Sequence, residues 1–230
     1  MNFGRIQKLT LLDYPDKTAC TLFTVGCNFK CPFCQNSSLI NPENETQTQS
    51  TAEVLKFLKT RKGLLDGVCI SGGEPLLNDD LGEFISDVKK MGFSVKLDTN
   101  GSYPEKLKKL IESEMIDYIA MDIKNSPEKY VKTIGLSAYD IFRIEESICL
   151  LQSSGISHEF RTTAVKEFHS PDDILSIARW LSNAERYYLQ GFIDSEGVLY
   201  SGFTAYSEEE MQELIQKVKE VLPVAELRGI

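Results

Sequence analysis

Short apolar runs alternate with longer amphipathic segments along most of the chain. Runs of about four to eight residues that are rich in β-branched and aromatic side chains are typical of buried strands. Such runs occupy Ala19–Thr24, Gly67–Ser71, Ser94–Thr99, Tyr118–Ile123, His158–Val165 and Tyr187–Phe192. Strands that alternate with helical segments form parallel sheets covered by helices. The pattern therefore predicts an α/β fold.

Segments with helical spacing of apolar residues separate these strands. The first, Thr51–Lys59, is preceded by Ser50 and contains Glu53, a pair that predicts a capping box. The last, Ser207–Val221, carries an apolar stripe that we interpret as core packing. The polar segment Asn41–Ser50 predicts a loop. The remaining predicted helices are Asp80–Lys90, Pro104–Ser113, Tyr139–Ser153 and Pro171–Leu181.

Length and charge limit the classes of function. The chain has 230 residues and a formal net charge of −9, which argues against a nucleic-acid partner. No apolar stretch approaches the roughly 20 residues that cross a bilayer, and the N-terminal residues lack the pattern of a secretory signal. We expect a cytoplasmic protein without a membrane partner. No change in composition marks a boundary, so we expect one domain over residues 1–230.

Three of the six cysteines form the motif C-x-x-x-C-x-x-C at Cys27, Cys31 and Cys34. Disulfides are rare in the cytosol, so the clustering favours metal binding. Structural zinc takes four ligands, and neither His158 nor His169 is near the motif in sequence. Three thiolates on a 4Fe-4S cluster would leave one iron open to bind a substrate. The spacing favours the cluster, with zinc and plain core thiols as the alternatives.

The other three cysteines lie in apolar runs. Apolar neighbours favour the interpretation of a cysteine as a small, buried hydrophobic residue. We therefore expect Cys20, Cys69 and Cys149 to be buried.

Polar motifs follow the predicted strands. S-G-G-E-P, with Gly72, Gly73 and Glu74, follows the second strand, and D-T-N-G, with Asp98 and Thr99, ends the third. Glycines allow a close backbone approach, and the carboxylate of a glutamate suits an ammonium group. Each motif alone also fits a tight turn or a helix cap.

Charged and amide side chains occupy corresponding positions in the later strands. M-D-I-K, with Asp122 and Lys124, ends the fourth strand, and Arg161 and Gln190 lie within the last two. Long polar side chains in strands are unfavourable unless they face a polar cavity or a partner. Because active sites in barrel-like α/β folds form where parallel strands end, we expect these motifs to share one edge.

The cysteine motif, with Phe33 before its last cysteine and G-G-E-P further along, resembles the radical S-adenosylmethionine enzymes. The resemblance implies a partial (β/α)6 barrel, a 4Fe-4S cluster on the three cysteines, and S-adenosylmethionine bound to the open iron. It also implies that Phe33 packs near the adenine and that Gly72, Gly73 and Glu74 hold the methionine amino group. The resemblance further implies that four side chains line the cofactor site, namely Asp98, Thr99, Asp122 and Lys124.

A narrower resemblance covers nearly the whole chain. L-D-Y-P, the cysteine loop, D-T-N-G, M-D-I-K and F-R-T-T-A-V are similar to segments of the enzymes that activate glycyl-radical proteins, most of all the group that activates anaerobic ribonucleoside-triphosphate reductase. This implies reductive cleavage of S-adenosylmethionine to methionine and a 5'-deoxyadenosyl radical, which takes hydrogen from a glycine of the partner. It also implies an electron donor such as flavodoxin or ferredoxin. Lys124, Arg161 and Gln190 would orient cofactor or substrate.

Two alternatives remain at this point. A short enzyme with one cluster also fits the 7-carboxy-7-deazaguanine synthases, whose substrate is a small pterin. An iron–sulfur electron carrier or a zinc-binding module would explain the three cysteines, but not the polar motifs at successive strand ends.

Overall fold

The computed structural model describes residues 1–41, 43 and 47–229, which form two compact units. The first unit contains Met1–Asn28 and Ser38–Ala120. The second contains Phe29–Ser37 and the described residues from Met121 onward. The cysteine motif therefore contributes Cys27 to the first unit and its other two cysteines to the second.

Among the described residues, the first unit contains five complete strands and three α-helices. The strands follow the order β3-β1-β2-β4-β5, in which β2, β4 and β5 are parallel and β1 is antiparallel to both of its neighbours. The predicted capping box of Ser50 and Glu53 is present at the first helix. The elements are β1 (Asn2–Thr10), β2 (Ala19–Thr24), β3 (Gln49–Ser50), α1 (Thr51–Lys59), β4 (Gly67–Gly72), α2 (Leu81–Lys90), β5 (Ser94–Thr99) and α3 (Pro104–Glu112).

Strand β6 (Tyr118–Asp122) begins in the first unit and ends in the second. In the second unit, β7 pairs in parallel with β8, and β8 pairs in parallel with β9. The elements after β6 are α4 (Tyr130–Thr133), α5 (Phe142–Ser154), β7 (His158–Ala164), α6 (Pro171–Trp180), β8 (Tyr187–Gly191), α7 (Glu208–Val221) and β9 (Ala225–Arg228).

The α/β class is confirmed, and each of the six predicted strands is present to within one residue at either end. Strands β1, β3 and β9 were not predicted. Strand β1 has polar side chains at most positions and is largely exposed, so it lacks the apolar run that marks a buried strand. The loop predicted for Asn41–Ser50 falls partly on positions 42 and 44–46, which lie outside the described residues, and its last two residues form β3.

Two of the three apolar-run cysteines occupy the core. Cys20 and Cys69 are fully buried, as expected. The expectation for Cys149 is wrong, because this residue lies on α5 with its side chain exposed. A helix in an α/β fold buries one stripe only, so an apolar neighbourhood in sequence does not guarantee burial.

Within the part of the chain that is described, no helix is both long and apolar enough for a bilayer crossing.

Candidate active site

Gly72 and Gly73 pack against the backbone that leads into the cysteine motif. A Cβ on Gly72 would lie 2.3 Å from the Thr24 nitrogen, and one on Gly73 would lie 2.0 Å from the Gly26 carbonyl oxygen. The Gly73 amide donates to the Thr24 carbonyl at 2.9 Å, and the Glu74 amide donates to the Gly26 carbonyl at 2.8 Å. Only glycine permits this approach, so the G-G pair fixes the backbone just before Cys27.

Glu74 is fully buried, and its carboxylate joins the ends of β4 and β5. Oε1 accepts from the Leu76 amide at 3.0 Å and from Thr99 Oγ1 at 2.8 Å. Oε2 accepts from the Asn100 amide at 2.7 Å. Hydrogen bonds of this kind stabilise a buried ionised carboxylate. In these contacts Glu74 holds the D-T-N-G turn in place, and its role toward a methionine amino group stays a prediction.

Asn100, which the sequence suggests only as a turn residue, contacts the first cysteine of the motif. Its Oδ1 accepts from the Ser102 amide at 2.9 Å, and its Nδ2 donates to Asn28 Oδ1 at 3.0 Å. The same Nδ2 lies 4.0 Å from the sulfur of Cys27. Nothing in the sequence distinguishes such an asparagine from one in an ordinary turn, because the contact depends on how the two loops meet.

Asp98 lies at the carboxyl end of β5 and is 13% exposed. Its carboxylate contacts the ammonium group of Lys96, two residues earlier on the same strand. Lys96, like Asn100, is not among the site residues that the sequence predicts. A signal was available, since Lys96 stands between the apolar residues Val95 and Leu97 and falls on the same face as the acid two residues away.

In the second unit, Cys31 and Cys34 close a tight turn. The Cys34 amide donates to the Cys31 carbonyl at 3.0 Å. Burial raises the pKa of the Cys31 thiol to about 12, and it also raises the pKa of Cys34. Both are therefore neutral thiols in this conformation, and a metal would have to displace their protons. Among the described residues, no three His, Cys, Asp or Glu side chains are already gathered as a metal site.

Residues 193–200, which we call the strap, run beside this turn. A Cβ on Gly197 would lie 2.7 Å from the Gln35 carbonyl oxygen, so the two segments are in close backbone contact. Gln35 also donates from Nε2 to the Ile193 carbonyl at 3.0 Å. Three backbone hydrogen bonds join the segments: Leu199 N to Cys34 O at 3.0 Å, Tyr200 N to Pro32 O at 3.0 Å and Ser37 N to Gly197 O at 3.2 Å.

Phe33 is buried between the two cysteines of the turn. It belongs to an apolar cluster with Val165, Phe192 and Val198. Its ring centroid is 5.2 Å from that of Phe168. The cluster holds the ring that separates the two cysteines in sequence.

Asp122 forms ion pairs with both predicted cations. Its Oδ1 accepts from Arg161 Nε at 2.8 Å, and its Oδ2 accepts from Lys124 Nζ at 3.0 Å. Burial opposes ionisation of Asp122, but the two cations outweigh burial and hold the pKa of this carboxyl well below its usual range. Burial likewise favours neutral Lys124, but the Asp122 carboxylate raises the pKa of Lys124 above its ordinary value. All three groups are charged.

Four predicted site residues share one cavity. Its lining consists of Phe33, Asp122, Ile123, Lys124, Arg161 and Thr163. Gln190 lies on β8 in register with Thr163 of β7. An acid and a cation from the end of β6, a cation from β7 and the ring of Phe33 from the cysteine turn therefore line one cavity, and their role in a site stays a prediction.

His169 contacts two of the residues that line this cavity, Lys124 and Phe33. Its Nε2 donates to the Lys124 carbonyl at 2.7 Å, and its Nδ1 accepts from the Val165 amide at 3.1 Å, partners that assign the neutral tautomer. Burial lowers the pKa of this imidazole. The His169 ring also packs edge-on against Phe33, with centroids 5.7 Å apart. Because both ring nitrogens are engaged, His169 is not placed to serve as a fourth zinc ligand.

A family model described as the Radical SAM superfamily matches residues 21–181 of this α/β chain. The chain belongs to the radical S-adenosylmethionine superfamily. Membership implies a 4Fe-4S cluster and S-adenosylmethionine. The donor set fits the cluster, because the motif supplies three cysteine thiols outside any disulfide and no other ligand type.

Two curated relatives and one solved structure are similar to this chain. A Methanocaldococcus jannaschii protein provisionally named a glycyl-radical enzyme activating enzyme is 34% identical over 192 residues, 81% of this chain and 78% of that protein. The pyruvate formate-lyase-activating enzyme of Listeria monocytogenes is 35% identical over 123 residues, 48% of this chain and 49% of that enzyme. The structure of Streptococcus suis SuiB bound to S-adenosylmethionine has a TM-score of 0.72 at 14% identity, covering 90% of this chain and 49% of SuiB. The chain thus spans about half the length of the last two proteins, and the likeness to SuiB shows the fold alone.

Proposed function

We propose that the protein is a radical S-adenosylmethionine activase that generates a glycyl radical on a partner enzyme. The observation that carries the proposal is the cavity in which Phe33, Asp122, Lys124 and Arg161 meet. It brings one acid, two cations and an aromatic ring together in the unit that also holds Cys31 and Cys34. The relatives named activating enzymes support the activase class.

The ligands of the cluster are proposed to be Cys27, Cys31 and Cys34. When bound, the reduced 4Fe-4S cluster and S-adenosylmethionine supply a 5'-deoxyadenosyl radical, which removes a hydrogen atom from the substrate. The protein must therefore position groups and exclude water. Neither task requires a general base.

Individual residues then take the following roles. Phe33 packs against the adenine, and Asp122, held by two cations, accepts hydrogen bonds from the cofactor. Lys124 and Arg161 keep that carboxylate oriented, and Gln190 orients the substrate. In the first unit, Gly72, Gly73 and Glu74 hold the methionine amino group, and Asp98 and Thr99 line the cofactor site.

We further propose anaerobic ribonucleoside-triphosphate reductase as the glycyl-radical partner, because the chain's segments resemble the group that activates it. A flavodoxin or ferredoxin would supply the electron. We also propose that residues 1–230 act as one domain in the cytoplasm.

The decisive experiment is anaerobic reconstitution with iron and sulfide, followed by reduction and addition of S-adenosylmethionine. We expect 5'-deoxyadenosine by chromatography, and a glycyl-radical EPR signal when the reductase is added. A full cluster that yields no 5'-deoxyadenosine would overturn the radical chemistry. Product formation with consumption of a small pterin and no EPR signal would replace the activase with the deazaguanine-synthase alternative.

A pair of variants separates the site from general damage. Arg161→Met leaves Asp122 with one cation, so 5'-deoxyadenosine formation should fall about tenfold or more. Arg179→Met makes the same change on the exposed side of α6 and should retain wild-type activity. Equal activity of the two variants would mean that Arg161 does not contribute to the site.

A further inference from the structure

Lys96 is a charged side chain in the interior of the first unit. It is 1% exposed, although lysine is almost never fully buried unless it is paired. Its ammonium group contacts Asp98 Oδ1. The same ammonium lies 3.9 Å from the sulfur of Cys69 and 5.9 Å from the centroid of the Tyr118 ring.

The geometry of β5 places Lys96 beneath Asp98. Residues two apart on a strand share a face and are separated by about 6.6 Å along it. Lys96 is in register with Cys69 of β4, inside the sheet, whereas Asp98 is at the carboxyl end of the strand. Val95 and Leu97 fill the opposite face and are fully buried. The ammonium therefore approaches the carboxylate from the interior, opposite the edge at which the strand-end motifs lie.

Stability alone is a weak reason for this arrangement. Replacing a buried ion pair with apolar residues of similar volume is often neutral or stabilising, because both charges lose hydration on burial. The neighbours of Lys96 include a cysteine sulfur and an aromatic ring in addition to Asp98. A lysine at this position is better explained by what it does to Asp98.

We propose that Lys96 is a positioning residue, which holds the carboxylate of Asp98 in the charge state and orientation that bind the donor groups of S-adenosylmethionine. The inference rests on the proposed function, in which Asp98 lines the cofactor site. It adds that the carboxylate of Asp98 is paired with the ammonium group of Lys96, which lies on the same strand. Lys96 itself touches neither cofactor nor substrate.

The test is a double-mutant cycle on binding, without turnover. Reconstituted protein is dialysed anaerobically against labelled S-adenosylmethionine with no reductant, for wild type, Lys96→Met, Asp98→Asn and the double variant. We expect each single variant to raise the Kd about tenfold. The double variant should bind no more weakly than Asp98→Asn alone, because Lys96 acts through Asp98. In turnover, Lys96→Met should raise KM for S-adenosylmethionine more than it lowers kcat.

Lys89→Met is the matched control. Lys89 Nζ lies 2.8 Å from both oxygens of Asp117, an exposed pair in the same unit, so the substitution removes a cation of similar chemistry outside the site. Its Kd should equal that of wild type. If Lys96→Met does not retain the cluster, Lys96→Gln replaces it, since the amide keeps a donor but is uncharged and shorter by one bond. An unchanged Kd for that variant would overturn the inference.

The outcomes distinguish this inference from the proposed function. If Asp98→Asn leaves the Kd unchanged, the placement of Asp98 in the proposed site fails. If Asp98→Asn weakens binding and Lys96→Met does not, Lys96 is no positioning residue and the proposed function stands. Additive losses in the double variant would also overturn the inference, because Lys96 would then act independently of Asp98.

Discussion

The contact between the strap (residues 193–200) and the cysteine turn can be tested with one methyl group. In Gly197→Ala the new Cβ would lie 2.7 Å from the Gln35 carbonyl oxygen, whereas favourable carbon contacts lie at about 3.5 Å. The strap must therefore move by roughly 0.5–1 Å. Such a shift lengthens the hydrogen bonds that Leu199 and Tyr200 make at 3.0 Å. Overpacking of this kind costs about 1–3 kcal/mol, so we expect a loss of about 2 kcal/mol.

Two measurements check the expected loss. Urea unfolding of the apoprotein, followed by circular dichroism, gives the free energy of unfolding. Absorbance of the reconstituted cluster during exposure to air gives its rate of bleaching, which should rise because a displaced strap uncovers the cysteine turn. Gly82→Ala is the control, since its Cβ on helix α2 would meet Leu110 at an ordinary 3.9 Å. That variant should gain up to about 1 kcal/mol from helix propensity and bleach like wild type.

If Gly197→Ala matches wild type in both measurements, the close contact between the strap and the cysteine turn does not stabilise either of them. A fall in unfolding free energy without faster bleaching would mean that the strap stabilises the second unit but does not shield the turn.

Three further predictions concern single residues. Cys31→Ala should remove a cluster ligand and lower the iron content after reconstitution, and a full iron count with normal absorbance would contradict the ligand assignment. Glu74→Gln puts an amide where a buried carboxylate accepts three hydrogen bonds, so urea unfolding should show a loss of about 2 kcal/mol, and an unchanged midpoint would be inconsistent with that network. Burial opposes ionisation of Asp173, but its hydrogen bonds to Lys129 and Ser170 outweigh burial and hold its pKa below the ordinary value of 3.8. The stability that Asp173 contributes is therefore complete above pH 3.8 and lost as pH falls through the lowered pKa. Asp173→Asn should be about 1 kcal/mol less stable near neutral pH, and this difference should shrink toward pH 2 in acid titrations; a constant difference would rule the ion pair out as its source.

The repeating strands and helices could be predicted from the sequence because burial leaves a local record. Strands covered on both faces read as continuous apolar runs, and helices read as apolar stripes. Strand β1 has no continuous apolar run, because most of its side chains are exposed. Cys149 shows the opposite error, because an apolar run in sequence does not reveal which helix face meets the core.

The candidate site divides in the same way. Cys31, Asp122, Lys124 and Arg161 could be found from the sequence, because thiols at metal spacing and charges at strand ends are rare without a function. Lys124 lies only two positions after its partner Asp122, but the pairing of Asp122 with Arg161 joins β6 to β7 across 39 positions of sequence and could not be found.

The residues that support the site were decided by the tertiary structure. His169 reaches the Lys124 carbonyl across 45 positions of sequence, and the strap contacts the cysteine turn from beyond β8. Contacts made through backbone atoms and ring faces place almost no restriction on neighbouring sequence, so no motif records them. The sequence by itself determined the α/β class, the superfamily and the chemistry-bearing side chains, because those depend on residue type and local spacing. The tertiary structure decided which charges compensate one another and which segments hold the cysteines in place, because both depend on distances between residues far apart in the chain.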